Sequence, residues 1–221
     1  MSIAQRLINL KTSLPPNVTL VAVSKLQPVE VLQEAYNAGQ RIFGENRVQE
    51  LTAKYPLLPS DIQWHFIGTL QTNKVKYIAP FIDTIQSIDS LNLLKEVEKQ
   101  AAKCNRRIRV FLEVYIAEEM TKHGFELDEC LRLFLENQLD AFPHVIVAGL
   151  MGMATFTEDT GRIQHEFQTL KELFDRIKLS GKAGDSFTEL SMGMSDDYPI
   201  AIRNGSTMIR VGTMIFGKRE Y

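Results

Sequence analysis

The 221-residue chain has 44% hydrophobic and 24% charged residues, which is ordinary for a water-soluble globular protein. Its 25 basic and 27 acidic residues leave a net charge of −2 and form no basic stripe, which excludes a nucleic-acid binder held by bulk charge. The sequence contains no run of about 18 apolar residues and its start lacks the apolar core of a signal peptide, so we expect a cytoplasmic protein without a membrane partner.

Short apolar runs that favour β-strands alternate with amphipathic stretches, after one extra helix predicted at 3–14. The first unit shows the pattern: TLVAVS predicts a strand, and Pro28 and Gly39 mark the start and the end of the following helix. In the fourth unit, Ser90 is placed to cap a helix. The predicted strands are 19–24, 41–44, 63–68, 83–88, 109–116, 145–152, 189–193 and 207–212, and the predicted helices between and after them are 28–39, 47–55, 75–79, 90–104, 127–137, 160–178 and 198–204.

These strand–helix units predict an α/β protein whose parallel strands are buried on both faces. We interpret their number as a closed (β/α)8 barrel of the TIM type, forming a single domain over residues 1–221. An open, doubly wound sheet remains an alternative, because the strands at 63–68 and 189–193 are short. The glycine-rich GxGxxG turn of a dinucleotide-binding sheet is absent after the first strand.

The two cysteines, Cys104 and Cys130, lie in stretches that are predicted to be helical. Neither has a neighbouring cysteine or histidine at the spacing of a zinc site. We interpret both as small packing residues rather than as a disulfide or metal ligands, and we expect no metal site.

Functional side chains of a parallel barrel lie where its strands end and run into the following loops. Lys25 comes directly after the first predicted strand. A lysine in a dry, apolar barrel mouth becomes an amine nucleophile for a carbonyl group. The alternative is a lysine that pairs with a carboxylate at the rim of the barrel.

The last two strands end in segments that suit a phosphate group. LSMGMS at 190–195 contains Ser191, and RVGT at 210–213 contains Gly212 and Thr213. Phosphate sites in such barrels are often built from the loops after strands seven and eight, where backbone N–H groups and hydroxyls converge. A helix cap or an ordinary turn residue is the alternative for Ser191.

Two further polar residues lie among apolar neighbours. Arg210 is part of the apolar strand TMIRVG, and its burial requires a partner, either an internal carboxylate or a bound ligand. His65 lies between Trp64 and Phe66, and it is either a core histidine or part of a pocket wall.

Six segments closely resemble the pyridoxal phosphate homeostasis proteins, the YggS/PROSC/PipY family. The resemblance runs in the same order over nearly the whole chain. The segments are VAVSK (21–25), FGENRVQE (43–50), WHFIGTLQTNK (64–74), SIDS (87–90), GLMGMAT (149–155) and LSMGMSDDYPIAIRNGSTMIRVGTMIFG (190–217).

This resemblance implies a fold-type III protein that binds pyridoxal 5′-phosphate (PLP), similar to the barrel domain of bacterial alanine racemase. It implies a Schiff base on Lys25 and a contact between Arg210 and the pyridine nitrogen. The segment at 114–125 differs from the usual family sequence, and we expect it to alter access to the barrel mouth. The phosphate is expected on Ser191, Gly212 and Thr213, and the cofactor's ring and edges are expected to be lined by Asn46, His65 and Met192.

By the same resemblance, we expect the protein to maintain intracellular PLP homeostasis and amino- and keto-acid balance, with PLP-accepting apo-enzymes as partners and without a robust reaction of its own. An arginine at the pyridine nitrogen is charged and only donates hydrogen bonds, so the ring is a poor electron sink. We also expect a monomer with an open mouth that exchanges PLP readily, since a second domain is not predicted. The alternatives are a small PLP enzyme, such as an amino-acid racemase, and an aldolase-type barrel that uses Lys25 without PLP.

Overall fold

Eight parallel strands form a closed barrel in the computed structural model, which describes residues 1–117 and 123–217. Each strand pairs with the next along the chain, and the last pairs with the first, so the predicted barrel is confirmed and the open sheet is wrong. The strands are β1 Thr19–Val23, β2 Ile42–Glu45, β3 Gln63–Phe66, β4 Thr84–Ile88, β5 Ile108–Glu113, β6 Val145–Met151, β7 Glu189–Ser191 and β8 Met208–Val211.

The helices follow the strands and cover the outside of the barrel. Side-chain caps fix two of their starts: Ser90 Oγ accepts from the N–H of Leu93, and the Asp159 carboxylate accepts from the N–H groups of Gly161 and Arg162. The helices are α1 Ile3–Ser13, α2 Val29–Asn37, α3 Val48–Lys54, α4 Val75–Ile78, α5 Leu91–Lys103, α6 Leu127–Leu135, α7 Thr160–Leu179, α8 Tyr198–Arg203 and α9 Thr213–Phe216.

Two details differ from the sequence-based prediction. The strand predicted at 109–116 is too long, since β5 ends at Glu113 and Val114 makes only an isolated bridge with Phe125. Helix α9 was not predicted, because four residues are too few to show an amphipathic period. Part of the unusual segment at 114–125, namely residues 118–122, lies outside the described residues.

The strands are buried on both faces, as their nearly continuous apolar runs predicted. A large cluster lies between the sheet and the helices, and a small one fills part of the barrel interior. The interior cluster also leaves room for buried polar side chains, including Ser191 and Arg210. The interior apolar residues are Val21, Phe111, Ala148, Met151 and Met208.

Strand register determines which loops meet at the carboxyl ends of the strands. Val21 pairs with Arg210 across β1 and β8, and Val23 pairs with Gly44 across β1 and β2. The segments that follow these three strands therefore leave the barrel side by side. Within the described ranges, no helix is both long and apolar enough to cross a membrane.

Close approach of β6 and β7 gives a test of the barrel. A Cβ atom on Gly149 would overlap the carbonyl oxygen of Glu189, so Gly149→Ala must push the two strands apart. We expect the free energy of unfolding in urea to fall by about 3 kcal/mol, the upper end of typical overpacking costs. Gly184→Ala is the control, because a Cβ there has its nearest neighbour at 4.0 Å. Equal stability of the two variants would contradict the strand packing.

Candidate functional site

A cavity of about 450 Å³ lies at the carboxyl ends of the first three strands. Lys25, Asn46 and Gly68 are among the residues that line it. Gly68 cannot carry a side chain, because a Cβ atom there would overlap the carbonyl oxygen of Asn46. Lys25 is half-buried and makes contacts of its own. The Oδ1 atom of Asn46 is buried and has no hydrogen-bonding partner among the described residues. The cavity is thus bordered by an amine and by a residue whose buried amide oxygen has no donor among the described residues.

A buried ion pair lies next to this cavity. Glu45 Oε1 accepts from Lys54 Nζ and from Ser24 Oγ, both at 2.7 Å. Burial raises the pKa of Glu45, and the positive charge of Lys54 opposes this rise. Glu45 Oε2 has no partner in the described part of the chain. Lys54 Nζ also donates to the carbonyl oxygen of Ser24 at 2.9 Å, so the backbone helps to satisfy the lysine while one oxygen of the carboxylate stays unsatisfied.

Arg210 and Ser191, both predicted to hold the cofactor, contact each other inside the barrel. Arg210 Nη1 donates to Ser191 Oγ at 2.7 Å, and Nη2 donates to the carbonyl oxygen of Gly152 at 3.0 Å. Burial lowers the pKa of Arg210 to about 10, and the nearby Glu113 and Asp197 oppose the change. Arg210 therefore stays protonated at neutral pH.

A chain of hydrogen bonds continues from Arg210 towards the other end of the barrel. Ser191 Oγ donates to Gln86 Oε1 at 2.7 Å, and Gln86 Nε2 lies 2.7 Å from His65 Nδ1. Because an amide nitrogen only donates, Nδ1 accepts and the ring proton lies on Nε2, 3.6 Å from Asp83 Oδ1. The three hydrogen bonds thus all donate in the direction of Asp83.

His65 does not line the cavity that contains Lys25, although the sequence suggested that it forms part of a pocket wall. It lines a separate cavity of about 300 Å³ together with Thr19, Ile42 and Gln63, which stand at or near the starts of their strands. Burial tends to raise the pKa of Asp83 there, but hydrogen bonds from His65 and Thr84 outweigh it and lower the pKa. His65 therefore reaches the other site residues through Gln86.

Three remaining residues that the sequence singled out lie on or after the last two strands. Met192 is fully buried and packs in the cluster between sheet and helices, so its side chain does not lie with Ser191 and Arg210 in the barrel interior. Gly212 is buried and Thr213 is exposed at the start of α9, which follows β8 directly. The two segments are tied together, because the N–H of Arg210 donates to the carbonyl oxygen of Gly193 at 3.0 Å.

Glu113 is a residue that the sequence analysis missed. It is buried at the end of β5, where burial and the charge of Asp89 raise its pKa to about 7, while Arg210 opposes the rise. It also lines a mostly apolar cavity of about 220 Å³ with Met153 and Met194. An acidic residue at the end of the otherwise apolar run RVFLEVYI was the available signal.

Gln86 and Lys54 were also missed, for different reasons. Gln86 is a polar residue within the apolar strand DTIQSI, which marks it as inward-facing in the same way as Arg210. Lys54 gave no signal, because a lysine in an amphipathic helix is normally solvated.

Comparisons with known proteins agree on one family. The family model of the alanine racemase N-terminal domain matches residues 1–220. A curated "Pyridoxal phosphate homeostasis protein" of Aquifex aeolicus is 43% identical over 203 residues, which are 91% of this chain and 87% of that protein. The structure of PipY from Synechococcus elongatus with PLP bound is similar, with a TM-score of 0.88, 37% identity, and coverage of 98% of this chain and 100% of that chain. An alanine racemase of Clostridium difficile shares the fold, with a TM-score of 0.79 at 15% identity, over 100% of this chain and 56% of that chain.

The raised pKa of Glu113 predicts a pH dependence of stability. The folded state holds this proton more tightly than the unfolded state, so stability is lost as the pH rises from 4.5 through about 7. The rise corresponds to about 3 kcal/mol. We measure the free energy of unfolding in urea for the wild type and for Glu113→Gln at about pH 5 and about pH 8.5. The wild type should lose stability at the higher pH, and the variant should not lose this contribution because its amide has no proton to release. Parallel pH profiles of the two proteins would contradict the assignment.

Gln86→Leu tests the hydrogen-bond chain. The variant leaves Ser191 Oγ without its acceptor and His65 Nδ1 without its donor, so we expect a loss of about 1–3 kcal/mol in the free energy of unfolding. Nitrogen NMR of the histidine ring should show a proton on Nε2 in the wild type and a mixture of tautomers in the variant. Gln33→Leu is the control, since that amide contacts only Asn37 on an exposed helix face. An Nδ1 proton in the wild type would refute the chain.

Proposed function

The chain belongs to the pyridoxal phosphate homeostasis protein family, and we propose that it binds PLP through a Schiff base on Lys25. The observation that carries the proposal is the cavity that Lys25 and Asn46 line together, where the buried Oδ1 atom of Asn46 has no partner in the described part of the chain. Its volume of about 450 Å³ is in the range of small-molecule sites. The PLP-bound structure of the similar PipY supports the choice of cofactor.

The other residues suit the remaining parts of the cofactor. Asn46 Oδ1 offers an acceptor to a hydroxyl group, and Gly212 and Thr213 offer a backbone N–H and a hydroxyl to the phosphate. Arg210 is a permanent donor for the pyridine nitrogen. The hydroxyl of Ser191 is already bonded on both sides, so we assign it the role of orienting Arg210 rather than of binding phosphate.

We also propose that the protein has no robust reaction of its own and serves to hold and release PLP, with PLP-accepting apo-enzymes as recipients. Bound PLP supplies an electron sink only as far as its ring nitrogen carries a proton. Arg210 is already protonated and donates, so it favours a ring nitrogen without a proton. The curated relatives carry the name of homeostasis proteins, which agrees with this role. The cytoplasmic location, the monomeric state and the single domain remain predictions of the sequence.

One observation favours a small PLP enzyme, such as an amino-acid racemase, as the second candidate. Glu113 has a pKa of about 7 and lies close enough to Arg210 for the two charges to interact. A carboxyl group with a pKa near the working pH is suited to general acid–base catalysis. The two candidates differ in turnover rather than in cofactor.

An absorption spectrum and mass spectrometry test the cofactor assignment. Protein incubated with PLP should gain a visible band that borohydride abolishes, and the digested product should carry a pyridoxyl group on Lys25. Lys25→Ala should lose both signals, while Lys76→Ala, on an exposed position of α4, should keep them. An unmodified Lys25 in the wild type would refute the proposal and leave an aldolase-type barrel as the alternative.

Turnover assays decide between the two candidates. Racemisation and transamination of amino acids are measured with saturating PLP, in the wild type and in Glu113→Gln. We expect turnover far below the range of about 1–1000 per second that is typical of enzymes. Turnover within that range, lost in Glu113→Gln, would contradict the non-catalytic role and establish the enzyme.

A further inference from the structure

Charged side chains hold the backbone on both sides of Lys25. Before it, the carbonyl oxygen of Ser24 accepts from Lys54 Nζ at 2.9 Å. After it, the N–H of Leu26 donates to Glu50 Oε2 at 2.7 Å. Lys54 Nζ and Glu50 Oε2 are 3.4 Å apart, so the two contacts are parts of one group. We call Glu45, Glu50 and Lys54 the backbone clamp.

The backbone at Leu26 is strained. Its φ of 63° lies in the left-handed region, which costs a residue such as leucine about 1–3 kcal/mol. Burial of the side chain does not explain the conformation, because Leu26 is 49% exposed. Two contacts hold this conformation. The N–H of Gln27 donates to the carbonyl oxygen of Ser24 at 3.1 Å across the turn, and the N–H of Leu26 donates to Glu50, a charge-assisted bond of the stronger kind.

Lys54 is buried where a lysine is seldom found. Its side chain is 8% exposed, and it reaches from the last residue of α3 to the end of β1. A buried ion pair with Glu45 alone adds little to stability, because desolvation offsets the attraction. The hydrogen bond from Lys54 Nζ to Ser24 O gives the Lys54–Glu45 pair a second role, because it fixes the backbone at the end of β1, next to Lys25.

We propose that the backbone clamp positions the amine of Lys25 for covalent capture of an aldehyde. The inference rests on the proposed function and adds the three clamp side chains as positioning residues. With both flanking peptide groups fixed, the side chain of Lys25 leaves the turn in one direction, into the cavity that it shares with Asn46. Without the clamp, only the turn hydrogen bond from Gln27 to Ser24 opposes the relaxation of Leu26 to a negative φ, so the amine loses this direction.

The first test measures how fast the visible band forms after PLP is added, over a range of pH. Glu50→Ala removes the acceptor of Leu26 N–H at a half-buried position, so we expect the variant to fold. Displacement of a reacting group by about 1 Å costs up to about 100-fold in rate, and we expect capture to slow by roughly tenfold. Lys171→Met, which removes a partly exposed ion pair with Asp175 on α7, is the matched control and should keep the wild-type rate.

Lys54 is tested with its charge balanced. Lys54→Met alone leaves Glu45 as a buried, uncompensated charge, so the double variant Glu45→Gln/Lys54→Met is used instead. We expect the same slowing in this variant, and a partial return towards the wild-type rate in Lys54→Arg, since arginine can donate to both Ser24 O and Glu45. Circular dichroism and urea unfolding verify that each variant is folded.

An aldehyde without a phosphate group shows whether the clamp variants change the position of the Lys25 amine or the binding of the phosphate. Cofactor-free proteins are treated with pyridoxal, which lacks the phosphate, then reduced, and the modified fraction of Lys25 is measured by mass spectrometry. The clamp variants should be modified more slowly than the wild type at Lys25 and equally at Lys76. Folded Glu50→Ala that captures both aldehydes at the wild-type rate and pH profile would overturn the clamp. A wild type that gains no adduct on Lys25 would instead overturn the proposed function.

Discussion

Pairing of β8 with β1 is the contact on which the rest of the structure depends. It closes the sheet, so that none of the eight strands keeps an unpaired edge. It also brings together segments from the two ends of the chain, since Val21 and Arg210 are register partners. Because of this closure, the segment that carries Lys25 and the segment that carries Gly212 leave the barrel as neighbours. An open sheet would have separated the amine from the residues that we propose for the phosphate.

Closure also creates an interior in which a charge must be satisfied by the protein itself. Arg210 points into that interior and finds an uncharged hydroxyl, a backbone carbonyl and, at longer range, the acidic Glu113. Such an environment keeps the guanidinium in place without neutralising it. A buried donor whose position is fixed in this way discriminates between ligands that offer it a lone pair and those that do not.

Much of the fold was predictable, because the strands are long apolar runs and the helices have clear caps and breakers. The positions of Lys25 at the barrel mouth and of Arg210 in the barrel interior were also predictable, since each breaks the local pattern at the end or in the middle of a strand. The inward direction of Ser191 and the outward direction of Met192 were not, because a strand of three residues gives no alternation to read. The roles of Gln86 and Lys54 depend on partners from distant segments, which no spacing along one chain reveals.

The row of hydrogen bonds between Arg210 and Asp83 has a property that its separate links lack. Arg210 can only donate, and the Asp83 carboxylate, whose pKa is lowered, can only accept, so the two ends fix the direction of every link between them. The serine rotor, the glutamine amide and the imidazole tautomer therefore share one collective orientation rather than many independent ones. The carboxylate at the amino-terminal opening of the barrel and the guanidinium in its interior thus select the same proton positions, without any movement of the backbone.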